Sequence, residues 1–78
     1  MEKAKIFTTS ELPLAALLIL NKFELLKFDK EKGGRATFYF QDRPERLGLV
    51  LDYFGKKTMV EPTSFLEQIR HLKGLINN

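Results

Sequence analysis

Hydrophobic residues occur along the chain in blocks whose spacing predicts its helices and strands. Residues 12–20 are all leucine, alanine or isoleucine except Pro13, and this block predicts a helix from about Glu11 to Lys22. Thr8 and Glu11 have the spacing of a capping box at its start. Because a helix that is apolar on every side must be covered on most of them, we expect it at the centre of the domain or in a subunit interface.

Two segments with strand patterns follow this helix. Phe23–Phe28 and Arg35–Gln41 are separated by a polar turn in which Gly33-Gly34 can supply positive φ angles. Apolar and polar residues alternate in the second segment, which predicts a half-buried antiparallel strand. The residues expected to face the core are Leu26 and Phe28 in the first strand and Ala36, Phe38 and Phe40 in the second.

A second helix is predicted between Asp42 and Gly55. Asp42 and Glu45 have capping-box spacing, and Gly55 is a typical C-terminal stop. The residues spaced as one helix face, and therefore expected in the core, are Leu47, Val50, Leu51 and Phe54. On this interpretation Leu51→Ala should cost about 2–5 kcal/mol, as core leucines do.

A third helix is predicted from near Pro62, because apolar residues again recur at helical spacing. Its apolar stripe consists of Phe65, Ile69, Leu72 and Ile76, with Leu66 alongside. We expect Lys5–Phe7 to be an extended stub and Thr58–Val60 to be a connector or a third strand. The sequence thus predicts a small single α+β domain, helix–β-hairpin–helix–(short strand)–helix, over residues 10–78 after a lead-in of residues 1–9.

Composition narrows the class of protein. A chain of 78 residues with 44% hydrophobic residues can form one core, which predicts one domain. It contains no cysteine, which excludes a disulfide framework and a thiolate metal site. The apolar run at 12–20 is far shorter than the ~20 residues that span a bilayer, and Glu2 and Glu11 are atypical of a signal peptide. We therefore expect a cytoplasmic protein without a membrane partner.

The residues that carry enzyme chemistry are sparse. His71 is the one histidine, and Glu67, four residues before it, has the spacing of an ordinary surface pair. The acidic residues show neither metal-ligand nor two-carboxylate spacing, and Gly33-Gly34 lacks the further glycines of a phosphate loop. We predict a non-enzymatic protein without catalytic residues, metal or cofactor. A pocket that buried His71 beside a carboxylate would argue for an enzyme.

The net charge of +3 slightly favours a polyanionic partner. A first candidate nucleic-acid surface surrounds the hairpin and consists of Lys27, Lys30, Lys32, Arg35 and Tyr39. Cations beside an exposed ring can hold phosphates while a base stacks on the aromatic residue. The alternative is that these lysines protect a sheet edge from unwanted pairing. A second candidate group consists of Lys56, Lys57, Arg70 and Lys73.

Two helices also present apolar residues suited to protein association. In the first helix Leu14, Leu17, Leu18 and Ile19 provide either surplus apolar surface or intramolecular core. The stripe of the third helix can pair with a symmetry mate or pack within the chain. The sequence therefore leaves a homodimer or another protein partner open beside nucleic acid.

Several short segments together resemble a known family. They are Thr8–Leu12, Leu14–Ala16, Gly33–Arg35 leading into Phe38 and Phe40, Leu51–Phe54, Val60, Pro62 and Phe65. This combination is similar to a family of small proteins from bacteria, archaea and their viruses that is known only as a domain of unknown function. The resemblance runs from Thr8 to about Ile76, and it implies a shared fold and a phage or mobile-element setting. It implies no catalytic or binding residue.

The leading hypothesis from the sequence is a non-enzymatic accessory protein that binds nucleic acid weakly or through a dimer. The alternative is a protein–protein interaction or homodimerisation module that acts through apolar helix surface.

Overall fold

The computed structural model describes residues 5–77, with the exception of the side chain of Lys32. It contains a three-stranded antiparallel sheet and three α-helices, which confirms the predicted α+β class. The elements in chain order are β1 Ile6–Thr9, α1 Leu12–Leu20, β2 Leu25–Lys30, β3 Ala36–Gln41, α2 Arg46–Phe54 and α3 Pro62–Ile76. A 3-10 turn, Lys32–Gly34, joins β2 to β3.

The sheet has the strand order β1-β3-β2, so that β3 is central. Its third strand is formed by residues 6–9, which the sequence had placed in the lead-in, and Ile6 pairs with Gln41 while Thr9 pairs with Phe38. The expectation of a third strand at Thr58–Val60 is wrong, because this segment has no strand structure. Since β2 pairs with one edge of β3, the backbone groups of the other edge are free to pair with β1, the segment that precedes α1.

The turn between β2 and β3 has the predicted backbone. Gly33 and Gly34 adopt φ angles of 85° and 83°, in the region that side chains disfavour. Strand β2, however, contains a bulge between Leu25 and Lys27, which shifts its register against β3. Leu26 is consequently exposed rather than part of the core, whereas Phe28 is half-buried as expected.

The core lies between one face of the sheet and the helices. Ala36, Phe38 and Phe40 are all buried, as their alternation predicted, and Leu72 of α3 is fully buried against them. All five residues from Leu14 to Leu18 are buried in α1. The apolar first helix is therefore the centre of the domain. The alternative that Leu14, Leu17, Leu18 and Ile19 offer surplus surface is wrong for the three leucines, and Ile19 is half-buried against the core.

The start of α1 differs from the prediction. Thr8 lies in β1, so no capping box forms with Glu11, and the helix extends only from Leu12 to Leu20. The Thr9 hydroxyl instead accepts a hydrogen bond from the Glu11 amide at 3.1 Å. Strand pairing of residues 6–9 takes precedence over the local cap because it also positions Phe7 against the core.

The helix α2 begins later than predicted and has a different inner face. Asp42 does not cap it but binds Arg46 through two hydrogen bonds of 3.0 and 3.1 Å. The residues of α2 that pack against the core are Leu49, Val50 and Tyr53. Of the predicted core face only Val50 is correct, because Leu47, Leu51 and Phe54 are exposed.

Contacts at both ends of α2 explain its orientation. The Arg46 guanidinium lies over the Phe7 ring, 4.4 Å from its centroid, and holds the first turn against β1. The Tyr53 hydroxyl donates to the Glu11 carboxylate at 3.4 Å, which holds the last turn near the start of α1. These two contacts place the Arg46 and Tyr53 side of α2 inward.

The helix α3 follows the prediction closely. It begins at Pro62, and the Glu61 carboxylate caps it by accepting hydrogen bonds from the amides of Ser64 and Thr63 at 2.8 and 3.0 Å. The apolar stripe packs within the molecule: Leu72 is buried, and Phe65, Ile69 and Ile76 lie against the core. The stripe thus contributes to intramolecular packing, and its pairing with a symmetry mate stays a prediction.

Candidate functional site

The most prominent surface is the outer side of α2. Leu47, Leu51 and Phe54 are 57%, 63% and 63% exposed. They are spaced by four and three residues, so they lie on one side of the helix. We refer to Leu47, Leu51 and Phe54 as the α2 outer face. Burying a large apolar side chain is worth about 1.5–3 kcal/mol, so three on one surface favour contact with another molecule.

Beside the α2 outer face lie a glycine, the exposed Asp52 and, past the end of the helix, two cations. A side-chain atom built onto Gly48 would meet nothing within 4 Å, so open space lies next to Leu47 and Leu51. Lys56 and Lys57 follow the helix and are both exposed. The arrangement offers a partner an apolar surface with an accessible backbone and cations at one end.

Sequence reasoning missed this surface although a signal was present. Beyond the four residues of its predicted core face, α2 also contains Leu49 and Tyr53, so its apolar residues occupy more than one face. A short helix can bury only one side against a single domain. Because α2 has more apolar residues than one side can hold, the sequence predicts that an apolar side stays exposed. The spacing alone does not show which side this is.

The second surface is the side of the sheet opposite the core. Tyr39 lies at the centre of this side, with Thr8 of β1 and Lys27 of β2 as its neighbours across the strands. The Lys27 ammonium lies 4.6 Å from the centroid of the Tyr39 ring. Two members of the predicted nucleic-acid surface are thus in contact.

Carboxylates reduce the positive charge of this surface. Lys27 forms an ion pair with Asp29 at 3.7 Å, and Glu31 accepts a hydrogen bond from the Thr37 hydroxyl at 2.9 Å. The Asp29 carboxylate raises the pKa of Tyr39, and partial desolvation and the charge of Glu31 add to the effect. A phosphate that approached Tyr39 would therefore meet negative as well as positive charge.

The remaining predicted basic residues belong to different elements of the fold. Lys30 and Arg35 are exposed at the end of the hairpin, and the side chain of Lys32 lies outside the described part of the structure. Lys56 and Lys57 follow α2, whereas Arg70 and Lys73 are exposed on α3. Both helices pack against α1. Whether these residues act together in binding stays a prediction.

An open groove of about 650 Å³ lies between α1, β2 and α3. One wall is apolar and the other polar; the lining residues are Ile19, Leu20, Phe23, Leu25, Ser64, Glu67, Gln68 and His71. His71 is exposed, and among residues 5–77 no side-chain hydrogen bond joins it to Glu67. The groove therefore does not provide the buried, oriented imidazole that general-base chemistry uses.

Metal binding and membrane insertion each require particular groups of residues. In the described part of the chain, no three histidine or acidic residues come together as metal ligands would. None of the helices in residues 5–77 combines the length and the hydrophobicity that crossing a lipid bilayer requires. That the protein acts without cofactor or catalysis stays a prediction.

Comparison with known proteins yields one match. The family model described as "Domain of unknown function (DUF5659)" matches residues 4–78, almost the whole chain. Neither a curated protein nor a solved structure matches the chain. The comparison thus identifies a family but transfers no ligand and no reaction.

Proposed function

The chain belongs to the DUF5659 family, whose function is unknown, and we propose that it is a non-enzymatic accessory protein that acts by protein–protein association. The exposure of the α2 outer face carries this proposal. Apolar patches on soluble proteins are usually small unless they bind something, and the largest patch of a typical monomer is often functional. In this reading α2 is a docking helix that the domain holds against α1.

The other side of α2 supports the proposal. Leu49, Val50 and Tyr53 already provide its contact with the core, so the domain does not need the outer residues for its own packing. The ring of Phe54 touches only the edge of Tyr53 among the aromatic residues described, with centroids 5.0 Å apart. An association surface gives these three large side chains a role that the fold does not.

A charge placed in the α2 outer face tests the proposal. Leu51→Glu should abolish association while preserving the circular dichroism spectrum, because the wild-type side chain is mostly exposed. Leu66→Glu is the matched control: the same change at a leucine that is 51% exposed on α3. Both variants and the wild type would be compared by light scattering over a dilution series, and by calorimetric titration with any purified partner.

The association hypothesis requires the two variants to differ. Equal behaviour of wild type, Leu51→Glu and Leu66→Glu in every binding measurement would exclude the α2 outer face as the binding surface. Loss of association in Leu66→Glu alone would move the surface to α3.

A second candidate function is weak binding of single-stranded nucleic acid by the open side of the sheet. The observation that favours it is the position of Lys27 over the Tyr39 ring, which pairs a cation with a stacking platform. Asp29 and Glu31 on the same side explain why we rank it second. The remaining basic residues would extend the phosphate contacts.

Salt dependence and substitution test this second function together. Fluorescence anisotropy with a labelled oligonucleotide should show affinity that falls steeply between about 50 and 200 mM salt, because phosphate contacts release counterions. Tyr39→Ala should weaken binding at every salt concentration, whereas Lys27→Ala should also reduce the salt dependence. No binding to single- or double-stranded DNA or RNA at low salt would remove this function.

The setting of the protein is also a proposal. The resemblance described above suggests a bacterial, archaeal or viral origin with a phage or mobile-element context, and the cysteine-free sequence is compatible with a reducing cytoplasm. Cell fractionation of a tagged chain checks the compartment. Recovery in a membrane or extracellular fraction would contradict it.

A further inference from the structure

We propose that the partner of the α2 outer face is a second copy of this chain, bound so that the two α2 helices lie antiparallel about a two-fold axis. This inference rests on the proposed function, since it names the occupant of the surface described there. A two-fold contact uses the same patch on both copies, so the patch must match itself. Three features of α2 meet this requirement.

The first feature is the spacing of the three apolar residues. Leu51 lies in the middle, with Leu47 four residues before it and Phe54 three residues after it. At the rise of an α-helix these offsets are about 6 Å and 4.5 Å. Antiparallel pairing centred on Leu51 therefore sets Leu47 of one copy beside Phe54 of the other, twice, and Leu51 against its equivalent.

The second feature is the glycine inside α2. Gly48 has open space around the position of a side chain, so nothing within the chain requires a glycine there. Each residue turns an α-helix by about 100°, so Gly48 and Gly55 lie next to each other on one flank of Leu51. Leu47 and Phe54 lie on the other flank. Antiparallel pairing brings Gly48 of one copy near Gly55 of the other. Because neither glycine has a side chain, the two backbones can approach closely, and this contact explains a glycine at position 48.

The third feature is the distribution of charge. The three residues of the α2 outer face are uncharged, and the exposed Lys56 and Lys57 lie beyond its C-terminal end. The exposed carboxylate of Asp52 lies about 100° around the helix from Leu51, beyond the two glycines. Antiparallel helices place the two lysine pairs at opposite ends of the contact. Parallel helices would set all four cations side by side, which disfavours that arrangement.

The size of the face predicts a weak dimer. Three large side chains form the apolar centre of an interface at the small end of the range for specific complexes. Association should therefore depend on concentration and be rapidly reversible. Sedimentation equilibrium of the full chain from about 5 to 500 µM covers the range in which such small interfaces form. We expect a monomer–dimer equilibrium without larger species.

Substitution at the centre of the face should shift this equilibrium. Leu51→Glu should weaken the dimer at least about 30-fold, which corresponds to a hot-spot loss of about 2 kcal/mol at 1.4 kcal/mol per tenfold change. The Leu66→Glu control should dimerise like the wild type. Circular dichroism of both variants confirms that the fold is preserved.

Gly48→Ala separates a role in the dimer from a role in the fold. Alanine favours the helix over glycine, so thermal unfolding of the dilute monomer should shift to higher temperature. The same added methyl groups lie between the two backbones in the dimer and should weaken it. A glycine without a partner would show the first effect and not the second.

Crosslinking tests the antiparallel arrangement, and the absence of native cysteine makes single-cysteine variants unambiguous. Oxidised Leu51→Cys should form a covalent dimer. Leu47→Cys alone should not, because its two copies are about 12 Å apart along antiparallel helices. A mixture of Leu47→Cys and Phe54→Cys should crosslink across the pair. Lys73→Cys, exposed on α3, measures random collision.

The outcomes distinguish this inference from the proposed function. A chain that stays monomeric at the highest concentration, with Leu51→Cys no more reactive than Lys73→Cys, would overturn the second-copy inference. If a different purified protein then bound wild type and Leu66→Glu but not Leu51→Glu, the proposed function would stand with another partner. Efficient self-crosslinking of Leu47→Cys would overturn the antiparallel arrangement.

Discussion

Leu51 and Leu72 are both leucines in amphipathic helices, yet Leu51 is 63% exposed and Leu72 is fully buried. The hydrophobic contribution of a residue depends on the surface that folding removes from water, and this differs for the two leucines. At the scale of single residues, environment rather than residue type therefore determines the effect of a substitution.

This difference gives a stability prediction. Leu72→Ala should destabilise the domain by about 2–5 kcal/mol, since it leaves a cavity among fully buried neighbours. Leu51→Ala should change the free energy of unfolding by no more than about 0.5 kcal/mol, as ordinary surface substitutions do. Urea unfolding in dilute solution measures both. A large loss for Leu51→Ala would show that α2 packs with its other side inward.

At the level of a whole element, one side chain stabilises the start of α3. The Glu61 carboxylate accepts hydrogen bonds from two amides at the start of α3, where the first turn lacks internal acceptors. The pKa of Glu61 is lowered most by the hydrogen bond from the Ser64 amide, then by those from the Thr63 amide and the Ser64 hydroxyl. Desolvation raises it by a smaller amount. The cap is thus stronger when Glu61 is ionised.

The sign of this pKa shift gives a pH prediction. Because the folded pKa is lower than the unfolded one, the contribution of the cap is complete above the unfolded pKa of about 4.3 and is lost as pH falls through the folded pKa. Urea unfolding at neutral and acidic pH should show a smaller loss on acidification for Glu61→Gln than for wild type. Equal pH dependence would mean that ionisation of Glu61 does not support α3.

The β2–β3 turn depends on a glycine in left-handed backbone. Gly33 has a φ of 85°, so Gly33→Ala should destabilise the domain by roughly 1–2 kcal/mol, the cost of a side chain in left-handed backbone. Gly33→Asn should be tolerated better, because asparagine adopts this conformation more readily. Thermal unfolding of the two variants compares them directly. Identical midpoints would indicate that the turn rearranges without cost.

At the scale of the whole molecule, one side of the sheet is core and the other is surface. Phe38 and Phe40 are buried against α1 and α3, whereas Tyr39 between them lies on the opposite side. A domain of this size has a total stability of only about 4–12 kcal/mol at 0.05–0.15 kcal/mol per residue. A single core position can therefore decide whether the chain folds.

This small margin predicts opposite results for adjacent residues. Phe38→Ala should cost about 3–5 kcal/mol and leave much of the chain unfolded. Tyr39→Ala should retain the fold, because its ring lies outside the core. One-dimensional proton NMR, read from the dispersion of the methyl signals, distinguishes the two. A well-dispersed spectrum for Phe38→Ala would mean that the core does not depend on β3.

Elements with local signals could be predicted from the sequence alone. Alternation along Ala36–Gln41 identified β3 and its core residues, the run at residues 12–20 identified the central helix, and Gly33-Gly34 identified the turn. The strand and the helix each have one arrangement that removes their apolar residues from water, and the paired glycines permit the positive φ angles of the turn. The packing face of α3 was determined in the same way, because its apolar residues form a single stripe.

Three features depend on long-range contacts that no local pattern reveals: the buried side of α2, the origin of the third strand and the alignment of β2. The helix α2 has apolar residues on two sides, and distant contacts of Arg46 with Phe7 and of Tyr53 with Glu11 select one of them. Strand β1 and the bulge near Leu26 likewise depend on pairing with β3. The candidate site follows from these choices, because long-range contacts determine which apolar residues stay exposed.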